Sequence, residues 1–171
     1  MARIAYLECT KCGAHISADK PQTICPNDGG VLFVRYNLQN LKQDFNRASL
    51  PATLWRYAQV LPDAPPVSLG EGLTPVLPSR EFASVYIKDE GLNPTGSFKA
   101  RGMSVAVTMA KAYGLKKLAA PSAGNAASAL AAYAAAAGLE AHIFMPRDVP
   151  VANRVECETY GAQVTLVDGL I

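Results

Sequence analysis

The stretch LAAPSAGNAASALAAYAAAAGLEAHIFM, Leu118–Met145, reads in turn as strand, helix and strand. Leu118-Ala-Ala-Pro is a short apolar run stopped by proline, and His142-Ile-Phe-Met is a second such run. Between them a helix runs from Asn125 to Ala137 and is closed by Gly138. Nine of the twelve residues from Ala126 to Ala137 are alanine, the best helix former, and small enough to let a helix lie close against a sheet. The same alternation continues on both sides. Val85-Tyr-Ile-Lys reads as a strand, Ser97–Tyr113 as a helix ended by Gly114, Val151–Tyr160 as a helix, and Gln163–Val167 as a strand. Strands alternating with helices of this length imply a parallel sheet with crossover helices, an α/β fold. In such sheets ligands gather at the carboxyl ends of the strands, where loops lead into helix amino termini.

Upstream the pattern changes. Residues 1–37 are polar, hold three of the four cysteines, and carry turn signals at Asn27-Asp28-Gly29-Gly30, which suits short strands and tight turns. Residues 38–80 hold a short helix around Thr53–Val60 and then a proline-rich passage, expected to run extended over the outside of something larger. Residues 81–171 form the α/β region. The sequence closes on Asp168-Gly-Leu-Ile just after a strand, which would leave a sheet edge exposed, so a fragment of a longer α/β domain is expected.

Composition narrows the function. Of 171 residues half are hydrophobic and 18% charged, with a net charge of +2 and no basic stripe, which argues against nucleic acid or an anionic membrane surface as partner. No apolar run reaches the roughly 18 residues of a membrane span, and the opening MARIAYLECT lacks the apolar core of a signal peptide. The expected location is the cytoplasm, where cysteines stay reduced.

Two loops carry the chemistry. In Asn93-Pro-Thr-Gly-Ser-Phe-Lys-Ala-Arg-Gly102, Asn-Pro and Thr-Gly make a turn and Ser97 is an N-cap for the following helix. Lys99 then falls in the first helical turn, where the helix dipole is positive and favours anions. A cation set against that field should lose its proton more easily, as a lysine acting as a nucleophile or carrying a Schiff base requires. Read alone, this lysine could equally point into water. The second loop, Ser122-Ala-Gly-Asn-Ala-Ala127, follows a strand and opens a helix, aiming backbone N–H groups at a carboxylate or phosphate. Read alone, Ser122 and Asn125 could simply cap the alanine helix.

The ten residues from Asn93 to Gly102 resemble the lysine motif of the fold-type II pyridoxal-phosphate (PLP) enzymes, which include threonine synthase, threonine and serine dehydratases, cysteine synthase and the tryptophan synthase β chain. Ser122–Asn125 resembles the family's second loop and follows in the family's order. Ser68-Leu-Gly-Glu-Gly-Leu-Thr-Pro75, Leu54-Trp-Arg-Tyr and the cysteine-bearing leader resemble threonine synthases in particular, whereas Gly161–Gly169 is similar across the whole fold type. The resemblance implies that Lys99 carries PLP and moves protons, and that Asn125 bonds the cofactor's ring oxygen. It further implies that Ser122, Ala123, Gly124 and Asn125 hold the substrate carboxylate. Thr95 and Ser97 are the local hydroxyls for a substrate phosphate. The implied reaction converts O-phospho-L-homoserine and water to L-threonine and phosphate, with a small amino acid as substrate and a homodimer as the assembly. Two departures are visible: Ala126 stands where some threonine synthases have a threonine, and Ala100 where relatives are often acidic. The family's glycine-rich phosphate loop and the residue facing the pyridine nitrogen do not occur in these residues, so this polypeptide alone is expected to bind PLP weakly and to be inactive.

Cys9-Thr-Lys-Cys12 and Cys25-Pro-Asn-Asp28 resemble a zinc ribbon whose fourth ligand has become a carboxylate, giving Cys9, Cys12, Cys25 and Asp28 as metal ligands and zinc as a second candidate cofactor. His15 is an alternative fourth ligand, and a ribbon that folds without metal is the rival reading. Cys157 reads as a buried helix residue. Two alternatives to a threonine synthase stay open: a PLP dehydratase or phosphoserine-using β-replacement enzyme, and a non-catalytic zinc-ribbon scaffold.

Overall fold

Polar, turn-rich sequence at one end and alternating apolar segments at the other fold as two compact units, Met1–Pro51 with Trp55–Pro65, and Ala52–Leu54 with Pro66–Ile171. The structure is a computed structural model and describes residues 4–39 and 49–169. The first residues of the leader, positions 40–48 of the middle stretch and the closing Leu170-Ile171 lie outside the described residues.

In the first unit β1 (Ile4–Cys9) is the centre of a three-stranded antiparallel sheet, flanked by β2 (His15–Ile16) and β3 (Leu32–Tyr36). The register sets Glu8 opposite His15 on one side and Phe33 on the other. Among residues 4–39 the buried side chains are Cys9 and Cys25, while Phe33 and Val34 are exposed. Among the described residues this sheet buries no side chain larger than a thiol. The helix expected around Thr53–Val60 is a 3-10 stretch, Leu54–Val60, broken at Tyr57.

The second unit opens with β4 (Val76–Pro78) and β5 (Tyr86–Lys88), followed by α1 (Lys99–Ala112), β6 (Lys117–Pro121), α2 (Asn125–Ala137), β7 (Glu140–Pro146), α3 (Val151–Thr159) and β8 (Gln163–Val167). Strands β6, β7 and β8 form a parallel sheet in that order, with α2 and α3 as the crossovers, so the α/β reading holds. Central β7 alternates, with Ala141, Ile143 and Met145 buried and Phe144 exposed. Helix α2 is buried without a break from Ala127 to Ala134, packed between α1, α3 and β7. Gly138 ends it in the left-handed conformation at φ 71°, which glycine adopts without strain. Cys157 is fully buried in α3, as expected. No helix among the described residues is long and apolar enough to cross a membrane.

Two expectations need correction. The strand around Val85 does not join the parallel sheet: β5 pairs antiparallel with β4, Leu77 opposite Ile87, in a separate two-stranded ribbon. All six of its residues are exposed, whereas a strand of a covered parallel sheet must bury both faces. The lysine loop therefore does not spring from the end of a parallel strand. Nor is the proline-rich passage an outer wrapping throughout, because Val67, Glu71 and Thr74 are buried. The Val67 amide donates to Thr108 Oγ1 at 2.8 Å and its carbonyl accepts from Ser104 Oγ at 2.7 Å, which ties the strand-like segment to α1.

Candidate functional site

Helix α1 starts at Lys99, two residues later than expected, because the chain before it turns too sharply for an α-helix. Pro94–Gly96 form a 3-10 turn in which Thr95 sits at φ 58°, ψ 22°. That left-handed conformation is uncommon for a β-branched residue and stores local strain. The Thr95 hydroxyl oxygen is buried and has no hydrogen-bond partner among the described residues. Ser97 lies one residue ahead of the capping position, and its Oγ accepts from the Lys99 amide at 3.3 Å. The Lys99 amine, half-buried, lies 4.4 Å from the centre of the Phe98 ring, with no carboxylate in ion-pair range among the described residues.

This turn is held by a polar lattice that sequence reading did not supply. Arg101 grips Glu90 with two parallel bonds of 2.7 Å, and Thr74 donates to the same carboxylate at 2.6 Å. The Arg101 bonds first, then that of Thr74, hold the Glu90 carboxyl down at about 2. Asn93 donates to Glu90 Oε2 at 2.9 Å and accepts from the Gly72 amide at 3.0 Å. Gly72 itself must be glycine: at φ 109° an added Cβ would lie 2.5 Å from the Leu54 amide nitrogen. The two motif segments, 68–75 and 93–102, are thus one stapled structure.

Glu71 does the same for the helices. It is fully buried and accepts from Tyr133 (2.6 Å), Ser104 (2.7 Å), the Leu69 amide (2.9 Å) and Ser68 (3.0 Å). Burial alone would raise this carboxyl, but the bonds from Tyr133 and Ser104 outweigh it and hold it below its ordinary value. Burial, and then the bond to Glu71, push the Tyr133 phenol far up.

The second loop lies where expected, between β6 and α2. Its Ser122 amide continues the sheet ladder to Phe144 at 3.1 Å, and Ser122 Oγ accepts from the Gly124 amide at 3.4 Å. Asn153 of α3 donates to the Ala123 carbonyl at 2.7 Å and fixes the turn from behind. The amides of Ala123, Asn125 and Ala126 have no acceptor among the described residues, and Asn125 is exposed. The turn Pro94–Gly96 packs against both α1 and α2, so the lysine loop and the helix that begins at Asn125 belong to one locality. An amine, an unpartnered buried hydroxyl and unclaimed amides at a helix amino terminus are a donor set for an anionic ligand that condenses with an amine, which suits PLP.

The cysteine group lies in the first unit. One ligand atom each from Cys9, Cys12, Cys25 and Asp28 lies within 4.8 Å of all the others. The Cys12 and Lys11 amides hold the Cys9 thiol below its ordinary range, burial pushes Cys25 up to about 11, and the Gly30 amide holds Asp28 at about 2. His15 is not part of the group. It stands on β2 with its ring stacked on Tyr6 at 3.9 Å.

A family model described as pyridoxal-phosphate dependent enzyme matches residues 67–171. The threonine synthase of Methanosarcina acetivorans is 36% identical over 173 aligned residues, covering 96% of this chain and 43% of its own length. That of Methanocaldococcus jannaschii is 34% identical over 174, covering 94% and 43%. The chain thus spans less than half the length of these relatives. Among solved structures a PLP-dependent aspartate racemase superposes with a TM-score of 0.52 at 34% identity, over 56% of this chain and 32% of its own. Maize serine racemase does so with a TM-score of 0.53 at 30% identity, over 57% and 32%.

Proposed function

The chain belongs to the pyridoxal-phosphate dependent enzymes, and from that premise we propose that the protein is a threonine synthase, a lyase converting O-phospho-L-homoserine and water to L-threonine and phosphate. One observation carries the choice within the family. Likeness to the Methanosarcina and Methanocaldococcus threonine synthases runs through 96% and 94% of the chain, into the cysteine-bearing unit ahead of residue 67, whereas the likeness to the two racemases covers just over half.

When bound, the cofactor supplies an electron sink that lowers the cost of carbanions next to the substrate's amino group. Lys99 would hold it through Nζ and, once released by the substrate amine, take the proton from Cα and return protons during turnover. Asn125 would donate to the cofactor's ring oxygen. The amides of Ala123 and Asn125, with the Ser122 hydroxyl and the Gly124 turn between them, would orient the substrate carboxylate. Thr95 and Ser97 would bind the phosphate that leaves from Cγ. The hydroxyl of Thr95 has no other partner among the described residues, which supports this role. Arg101, Glu90 and Asn93 would touch neither ligand and act by fixing the turn. The N-terminal unit, with its antiparallel strands and two cysteine turns, fits a zinc-ribbon-like segment.

The test is turnover by the full-length protein, offered O-phospho-L-homoserine, L-threonine and O-phospho-L-serine in parallel. Phosphate and threonine from the first substrate are expected, with Lys99→Ala losing both turnover and any borohydride-fixed cofactor adduct. Turnover of threonine or phosphoserine with none of phosphohomoserine would establish the second reading, a dehydratase or β-replacement enzyme, which Ala126, standing where some threonine synthases have a threonine, favours.

A further inference from the structure

The cysteine-bearing segment of the first unit, residues 4–39, buries little apolar surface among the described residues, whereas Trp55 and Pro62 later in the same unit are buried. Across residues 4–39 the two buried side chains are thiols, Cys9 and Cys25, each about 1% exposed. A sheet of three short strands with that interior has too little apolar area to offset the entropy of ordering it. Small units of this kind are held by disulfides or by metal. The disulfide is not formed: all four cysteines are free, and the Cys12 and Cys25 sulfurs stand 3.8 Å apart against a bond length of about 2 Å.

Two of the separations match those of ligands around one ion, within a group whose ligand atoms all lie within 4.8 Å of one another. A tetrahedral zinc with bonds of about 2.3 Å to sulfur and about 2.1 Å to oxygen sets sulfur–sulfur edges of about 3.8 Å and sulfur–oxygen edges of about 3.6 Å. The Cys12–Cys25 edge is 3.8 Å, and the two Asp28 oxygens lie 3.3 and 3.7 Å from Cys9 Sγ. The backbone repeats itself around this point. Cys9-Thr-Lys-Cys-Gly13 and Cys25-Pro-Asn-Asp-Gly29 close with the same bond, from the fifth amide to the first carbonyl, at 3.0 and 2.9 Å. Each ends on a left-handed glycine, φ 71° at Gly13 and 69° at Gly29. Asp28 therefore occupies in the second turn the place Cys12 occupies in the first. Outer contacts orient the donors: the Lys11 and Cys12 amides point at Cys9 Sγ (3.4 and 3.5 Å), and the Gly30 amide donates to Asp28 Oδ1 at 2.8 Å. Position 30 admits no side chain, since a Cβ there would sit 2.7 Å from Cys9 Sγ.

We propose that Cys9, Cys12, Cys25 and Asp28 form a closed, four-coordinate structural site for a borderline-soft divalent ion, zinc by ligand chemistry, with Asp28 as the fourth ligand. Three thiolates and a carboxylate leave no open coordination position, so the ion is structural and takes no part in turnover. Binding releases three thiol protons to water, one from each cysteine, and changes no oxidation state. The site does not depend on which reaction the second unit serves.

Full-length protein purified under reducing conditions should carry one zinc per chain. Replacement by Co²⁺ should give the absorption of a tetrahedral ion with thiolate charge-transfer bands. Asp28→Cys should keep one metal and raise those bands by about a third, as four thiolates replace three. Cys12→Ser, at an exposed position where folding is least at risk, should weaken metal binding by at least about ten-fold. The proposal is overturned if the protein holds no zinc and gives no charge-transfer band with Co²⁺, if Asp28→Cys leaves the cobalt spectrum unchanged, or if a Cys9→Ser, Cys12→Ser double variant binds zinc as well as the parent. None of these readouts uses enzyme activity, so they stand apart from the substrate assay.

Discussion

Tyr133→Phe removes one oxygen from the core of the second unit, and its cost can be worked out in advance. The phenol donates at 2.6 Å to Glu71, a carboxylate with no solvent exposure. A hydrogen bond to a buried charged group contributes about 1.5–3 kcal/mol, and the carboxylate keeps donors at Ser104, Ser68 and Leu69, so a loss of about 1.5–2 kcal/mol is expected. Glu71→Gln should cost about 2–3 kcal/mol, because an amide nitrogen would then face groups that donate. In the double variant the hydroxyl no longer has a carboxylate to lose, so the two costs should fall short of additivity by about 1 kcal/mol. Urea unfolding followed by helical circular dichroism reads the second unit, where the α-helices lie. The pH dependence gives a further check. Glu71 sits below its ordinary value when folded, so its contribution is present above the unfolded carboxyl pKa and is lost as pH falls through the folded one. Tyr133→Phe should move that loss to higher pH. A Tyr133→Phe cost under about 0.5 kcal/mol, or strict additivity with Glu71→Gln, would refute the idea that this pair anchors the segment to α1 and α2.

Two other perturbations test the lysine loop. Arg101→Lys keeps the charge but loses the two-pronged grip on Glu90, and should cost about 1 kcal/mol in a thermal melt. With Glu90 held at about 2, its contribution should be complete above about pH 4.3 and fade as pH drops toward 2, and Glu90→Gln should flatten that part of an acid titration. Thr95→Gly relieves a left-handed conformation costing about 1–2 kcal/mol against an added unfolded-state entropy of about 0.5–1 kcal/mol. Stability should therefore stay level or rise by up to about 1 kcal/mol while inhibition by inorganic phosphate weakens. A clear loss of stability would show that Thr95 is packed for structure.

Much of the second unit could be read from its sequence because its signals are local. Alanine and glycine mark α2 at both ends, and β8 falls where the short apolar run predicts it. Strand β5 is legible at Val85–Lys88, but its antiparallel pairing with β4 is not, since the ribbon has no buried face to fix its place and the partner strand is hidden among prolines. The motifs disclosed Lys99 and the Ser122–Asn125 turn, yet not what holds them. Glu71 meets Tyr133 across 62 positions, and Glu90 meets Arg101 across a turn whose shape depends on a strained threonine. Asn153 behind Ala123 has no signal in its own neighbourhood. The cysteine turns were visible as spacing, but that Asp28 and not His15 stands beside them needed the strand register, which sends His15 to stack on Tyr6.

The alanine-rich helix has a consequence for how the site tolerates change. Methyl groups have no rotamers to freeze, so the helix docks without side-chain entropy cost and its first turn is located by backbone against backbone. The same economy removes any slack: from Ala127 to Ala134 every direction is occupied, and a single added carbon has nowhere to go. Drift toward valine or leucine along this rod would displace the Ser122–Asn125 turn before it unfolded the protein, so variants there should lose affinity for an anionic ligand while still melting cooperatively.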